Sequence, residues 1–175
     1  MTKPAQAWRT GWVASATALL LGEPRPASRI RPLAVIVERV MHGFEPEMRL
    51  SGGEMRASAV TTPSSVGLDS GLGELALTGA ILATLHLLQE VDRPVVEIRA
   101  DAADGVARLE VVQQQVLTPP EAARAFPAAT PAGKRQLVLG LAATSMREVA
   151  AQLKGSVAIV AEGRRGGAVR FELRY

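Results

Sequence analysis

Leu33, Val37, Val40, Met41 and Phe44 return at helical spacing, with Glu38, Arg39 and His42 between them. That rhythm predicts an amphipathic helix from 33 to 44, fraying at Pro46, where a backbone donor is missing. Between Leu72 and Leu88 the polar positions nearly vanish. A helix that is apolar all round is a buried one, and Asp69 or Ser70 is placed to cap its first turn. Further on the period changes to two. Val95, Glu97 and Arg99 alternate with Val96, Ile98 and Ala100, and a second run covers 106–112. Asp104-Gly105 between the runs predicts a tight hairpin. Residues 136–153 predict another helix, with Gly155 as its left-handed C′ residue. Strands are expected at 55–61, 156–161 and 168–175, a short extended piece at 28–32, and glycine turns at 52–53 and 163–167. An N-terminal helix is expected over 5–21, with Trp8, Trp12, Leu19 and Leu20 on its apolar side and Pro24 and Pro26 ending it. Residues 117–135, holding Pro119, Pro120, Pro127 and Pro131, read as a long loop with a helical turn at 120–126.

Helices and antiparallel strands thus mix without a regular βαβ rhythm. The order predicts an α+β two-layer sandwich. Its mixed, mainly antiparallel sheet is covered on one face by about three helices, with a short N-terminal helix added. The expected organisation is an N-terminal helix and Pro-rich linker over 1–27 and one domain over 28–175.

Composition narrows the chemistry. The chain has 175 residues, 47% of them apolar, enough to bury a core without staples. Aromatics are only 3%, so that core is built from Ala, Val and Leu. The absence of Cys excludes disulfides, thiolate metal sites and thiol catalysis. Lys plus Arg number 20 against 17 Asp plus Glu, a net charge of +3 and a pI near 9.9. The basic residues are dispersed and lack interleaved aromatics, which argues against a nucleic-acid reader. Residues 11–22, after Lys3 and Arg9, imitate the apolar part of a signal peptide. Glu23-Pro24-Arg25-Pro26 then stands where small residues should precede cleavage. The stretch is also short of the roughly 20 residues a membrane span needs. A cytoplasmic chain without a membrane segment is expected.

Several local stretches carry a further likeness. Leu139-Gly140-Leu141-Ala142 precedes Glu148-Val149-Ala150-Ala151-Gln152-Leu153-Lys154-Gly155-Ser156, and Gly166-Gly167-Ala168-Val169-Arg170-Phe171 comes near the end. These stretches, with the helix at 33–44, the apolar helix at 69–88 and the hairpin at 95–112, resemble the catalytic and ATP-binding domain of sensor histidine kinases, the GHKL or Bergerat-fold ATPases. The likeness covers roughly 28–175. It implies that the metal-binding Asn of the family's central helix falls at Leu82, one turn after Thr78, in a chain that contains no Asn. The family's adenine-binding Asp falls at Gln113, its first motif glycine at Gln115, and a helix-start glycine at Gly140. Its flexible, glycine-rich phosphate lid corresponds to 117–135, where Gly133 is the one glycine.

The resemblance therefore implies a nucleotide site present only as vestigial positions: Thr78, Leu82, Gln113, Gln115 and Gly140. It implies no catalytic residue, no cofactor and no metal. His42 and His86 lack the His-Glu or His-Asp context of a phosphoacceptor hairpin. The expectation is a catalytically inactive, kinase-like adaptor of bacterial two-component-type signalling. It would act by protein–protein interaction with a kinase or response regulator, or as a homodimer through Trp8, Trp12, Leu19 and Leu20. Two alternatives stand beside it. One is a divergent ATP-binding module of a split kinase using Glu74, Thr78 or Gln113. The other is an anion or nucleic-acid binder using arginines such as Arg164 and Arg165. Asp101 and Asp104 are read as turn residues, and Ser64-Ser65 as a loop without a base partner.

Overall fold

The computed structural model describes residues 3–24, 29–60, 66–116, 134–161 and 166–174. In chain order the elements are α1 (Lys3–Leu20), β1 (Ile30–Pro32), α2 (Leu33–Leu50), β2 (Glu54–Val60), β3 (Gly67–Asp69), α3 (Ser70–Leu87), β4 (Val95–Ala103), β5 (Val106–Gln113), α4 (Lys134–Gln152), β6 (Ser156–Ala161) and β7 (Gly167–Arg174). The main sheet runs β2-β4-β5-β7-β6, with β2 parallel to β4 and every other pair antiparallel. A two-strand ribbon, β1 with β3, brings the starts of α2 and α3 together. This is the expected α+β sandwich.

Period-two alternation sorts the sheet into two faces. Val96, Ile98, Ala107, Leu109, Val111, Phe171 and Leu173 point inward and are buried. Above them lie α2, α3 and α4. The helix α2 contributes Leu33, Ile36, Val37, Val40, Phe44 and Met48 to the core. The Asp69 carboxylate accepts from the Leu72 amide at 3.0 Å, capping α3 as expected. Nearly every residue of α3 from Leu72 to Thr84 is buried, because sheet lies on one side of it and α1 on the other. Length and composition alone would let α3 cross a membrane, yet 67% of it is buried inside the fold. The hairpin turn holds Asp104 and Gly105 at φ 53° and 76°, with Ala103 opposite Val106. That is the two-residue turn their sequence predicts.

Helix ends depart from expectation. Pro24 and Pro26 do not end α1: Gly22, at φ 69°, does, with its amide donating to Leu19 O and that of Glu23 to Ala18 O. Pro46 does not fray α2, which continues to Leu50. One hydrogen bond is lost there, but Met48 is buried and Ser51, Gly52 and Gly53 amides satisfy the last carbonyls. Gly155 is not the left-handed residue after α4. Lys154 takes φ 53°, and Gly155 follows as C″, donating to Ala150 O at 2.7 Å. A Cβ on Gly155 would lie 2.1 Å from the Glu172 carbonyl oxygen, so the glycine there permits close passage against β7. The strand β3 was absent from the expected elements; it is three residues long and carries no periodicity. The expected helical turn at 120–126 and the turn at 163–165 lie outside the described residues.

Candidate functional site

Trp12, Ala16 and Leu19 stand at i, i+4 and i+7, and all three are buried. They face inward because α1 lies across the outer side of the helical layer, against α2, α3 and α4. The Trp12 indole donates to the Leu75 carbonyl of α3 at 3.1 Å. A Cβ placed on Gly79 would meet Trp12 at 3.4 Å and Met146 at 3.3 Å, so α3 is pinched here between α1 and α4. At the N-terminal end of the contact Arg9 forks onto the Glu47 carboxylate of α2. The face of α3 bearing Leu75, Thr78 and Gly79 is therefore roofed by another helix of the same chain.

Thr78 lies under this roof, and Leu82 lies in a different place. Thr78, 2% exposed, lines a cavity of about 320 Å³ together with Gly11, Trp12 and Ser15 of α1. Leu82 lines a second cavity of about 460 Å³, beside Arg9, Glu47 and His86. Glu74, on the same side of α3, has its carboxylate 3.4 Å from the Arg39 guanidinium. A Mg²⁺–phosphate group wants several hard oxygen ligands. Among the described residues no group of three or more His, Asp or Glu is placed to hold a metal ion.

Gln113 and Gln115 sit elsewhere, at the end of β5, around a small cavity of about 170 Å³. The buried Gln113 folds its amide onto its own turn. Its Oε1 accepts from the Gln115 and Val116 amides at 2.9 and 2.8 Å, and its Nε2 donates to Val116 O at 2.7 Å. Gln115 ties the same turn to the start of β4, accepting from Val95 N and donating to Arg93 O. Gly140 is buried on α4, and its carbonyl accepts from the Thr144 hydroxyl. The five vestigial positions are thus spread over separate sites and packed into the fold's own contacts.

The histidines are modest. His42 is exposed on α2, with Nδ1 3.3 Å from Glu45. His86 is half-buried at the edge of the larger cavity. Of the interface candidates, Trp12 and Leu19 are inside the fold, Leu20 is 38% exposed, and the Trp8 side chain lies outside the described residues. So do Arg164 and Arg165, and Ser64-Ser65.

The open face of the sheet carries a feature that the alternation hinted at and only the register completes. Glu97, Arg99 and Asp101 on β4 face Val112, Glu110 and Arg108 on β5, and the last two face Arg170 and Glu172 on β7. Arg56 stands opposite Glu97 from β2. Signs alternate along β4, β5 and β7, and opposite signs meet at 99–110, 101–108, 110–170 and 108–172, a checkerboard. Arg108 meets Glu172 at 3.2 Å, and Arg170 meets the nearly buried Glu110. Arg99 grips Glu97 at 3.1 Å, and Ser58 donates to the same carboxylate. Together the Arg99 and Ser58 hydrogen bonds hold the Glu97 carboxyl below its ordinary range. Opposite charges directly across a ladder stabilise it. They also neutralise the arginines a polyanion would seek.

No protein family matches the chain, and no curated protein does. Solved structures do. The histidine kinase AdeS of Acinetobacter baumannii is similar at a TM-score of 0.67 and 13% identity, over 94% of this chain and 76% of that one. A nucleotide-free catalytic domain of the histidine kinase ThkA is similar at 0.71 and 15% identity, over 85% and 96%. Full-length ShkA, solved in complex with AMPPNP, gives 0.69 and 20% identity, over 93% of this chain and 34% of that one. The fold is that of histidine-kinase catalytic and ATP-binding domains, as the sequence resemblance implied.

Proposed function

We propose that this chain is a histidine-kinase-type domain without nucleotide chemistry, which serves two-component-type signalling in the cytoplasm by binding a protein partner, a kinase or a response regulator. The observation that carries the reading is the roof over α3. Where the family resemblance implies metal and phosphate ligands, this chain has Thr78 beside Trp12, whose indole is bonded to Leu75 O, and an apolar Leu82. Where it implies an adenine partner, Gln113 has both ends of its amide engaged by its own turn. The residues do not fit a bound Mg²⁺–nucleotide. What remains is shape and surface, which act on a partner through differential affinity for its states. The interleaved charges of the sheet favour this reading over a nucleic-acid binder, whose affinity needs unpaired cations.

Isothermal titration of the full chain with Mg-ATP tests it. No saturable heat is expected, and Mg-ATP should leave the thermal midpoint unmoved, since a ligand stabilises only the state it binds. Saturable binding in the micromolar range would overturn the reading in favour of a divergent ATP-binding module.

A further inference from the structure

A cleft of about 420 Å³ opens between α2 and the start of β2. Three of the chain's five methionines line it: Met41 and Met48 from α2, and Met55 from β2. Met48 is buried and the other two are half-buried. The turn at 51–53 brings them to one place. Its Gly53 amide donates to Met48 O at 2.9 Å, and β2 then runs back beside α2. Two strand residues advance about 7 Å, and one helical turn about 5.4 Å, so Met55 returns to a level between Met41 and Met48. The Met48 methyl reaches the same wall, since a Cβ on Gly53 would stand 2.9 Å from it. His42 also lines the cleft, its side chain 85% exposed, with Nδ1 3.3 Å from the Glu45 carboxylate. That contact favours the tautomer with its proton on Nδ1 and leaves Nε2 as the free lone pair, the arrangement that orients a metal-binding imidazole.

We propose that this cleft is a binding site for a soft monovalent cation, Cu(I), taken by the thioethers of Met41, Met48 and Met55 and by Nε2 of His42. The donor set selects the metal. Thioether sulfur is neutral and polarizable and suits Cu(I), whereas hard ions take carboxylates, carbonyls and water. Thiolate is the competing soft ligand, and the chain contains no Cys. The charge of the wall agrees. Glu45 and Glu54 stand against Arg49, which is tied to Glu45, so one carboxylate is in surplus to balance a monovalent ion. Methionine turns about three bonds, which lets the sulfurs close on an ion while the backbone of α2 and β2 stays in place. The site shares no residue with the nucleotide positions on α3, β5 and α4, and it goes beyond the adaptor reading without resting on it.

The test follows the methionine methyls. The full chain, carrying ¹³C at those methyls, is titrated with Ag(I) as nitrate in chloride-free buffer, and anaerobically with Cu(I). At one equivalent of either ion the Met41, Met48 and Met55 signals should shift together. The signal of Met146, wholly buried on α4, should stay in place. Mg²⁺ should move none of the four. Met55→Leu conserves volume, and His42→Ala changes an exposed position. Each should weaken Ag(I) binding by about tenfold or more, with the far-ultraviolet dichroism of the apo chain unchanged. Three outcomes overturn the proposal: Met41, Met48 and Met55 signals that Ag(I) and Cu(I) leave unmoved, a Met146 shift as large as theirs, or either variant binding Ag(I) as tightly as the wild type. None of them bears on the Mg-ATP titration, so the soft-metal site and the adaptor reading fail separately.

Discussion

Glu97 shows how a single carboxylate is written into this surface. It accepts from Arg99 and Ser58 on two neighbouring strands, and these hydrogen bonds, aided by the charges of Arg99 and Arg56, lower its pKa from the ordinary 4.5. A carboxyl whose folded pKa is depressed adds stability above its unfolded value, and that stability is lost as pH falls through the folded one. Arg99→Gln and Ser58→Ala should therefore each raise the Glu97 pKa, measured by carboxyl NMR. Each should also lower the urea midpoint at neutral pH, with the deficit narrowing as pH drops below 4.5. A deficit that stayed constant into acid would assign the loss to packing. The alternation of Glu97, Arg99 and Asp101 was plain in the sequence. That each faces an opposite sign was not, because the pairing depends on strand register, and a slip of one residue would turn every charge inward.

Elements were legible where a local signal is sufficient, and less so where a distant contact decides. Asp69 and Asp104-Gly105 act through neighbouring backbone and fell where expected. Gly155 was misplaced by one role, since a left-handed cap and a close approach to another strand both select glycine. Its neighbour Lys154 accepts φ 53° so that Gly155 can pass the Glu172 carbonyl. The two roles separate by mutation. Gly155→Ala should destabilise by about 1–3 kcal/mol, since the added methyl meets backbone that cannot step aside. Lys154→Gly should stay within about 1 kcal/mol of wild type, on the stabilising side, as relief of left-handed strain offsets the entropy of glycine. Urea denaturation measures both, and a reversed order would restore Gly155 as the cap. Pro46 teaches the same lesson in α2: its missing amide was visible, but the burial of Met48 that carries the helix past it was not.

At the scale of the molecule, which surface α1 would cover was not legible in the chain's pattern. The spacing of Trp12, Ala16 and Leu19 marks an apolar stripe, and only tertiary packing directs that stripe to α3 rather than to another protein. The consequence is a three-tier arrangement, sheet, helical layer and α1, the outer tier seated through Trp12, Ala16 and Leu19. Both tryptophans of the chain, Trp8 and Trp12, lie on α1. Tryptophan emission therefore reports the outer tier, while far-ultraviolet circular dichroism reports all the helices and strands. If α1 leaves its seat ahead of the core, the emission should shift red at lower urea than the dichroic transition, and the two curves should not coincide. The early step should also carry the smaller denaturant slope, since the slope scales with surface exposed. Arg9→Ala, which removes the ion pair to Glu47, should move the emission transition to lower urea and leave the main dichroic transition in place. Coincident transitions in the wild type would mean that α1 and the core unfold as one unit, and the roof over α3 would then be as permanent as the sheet beneath it.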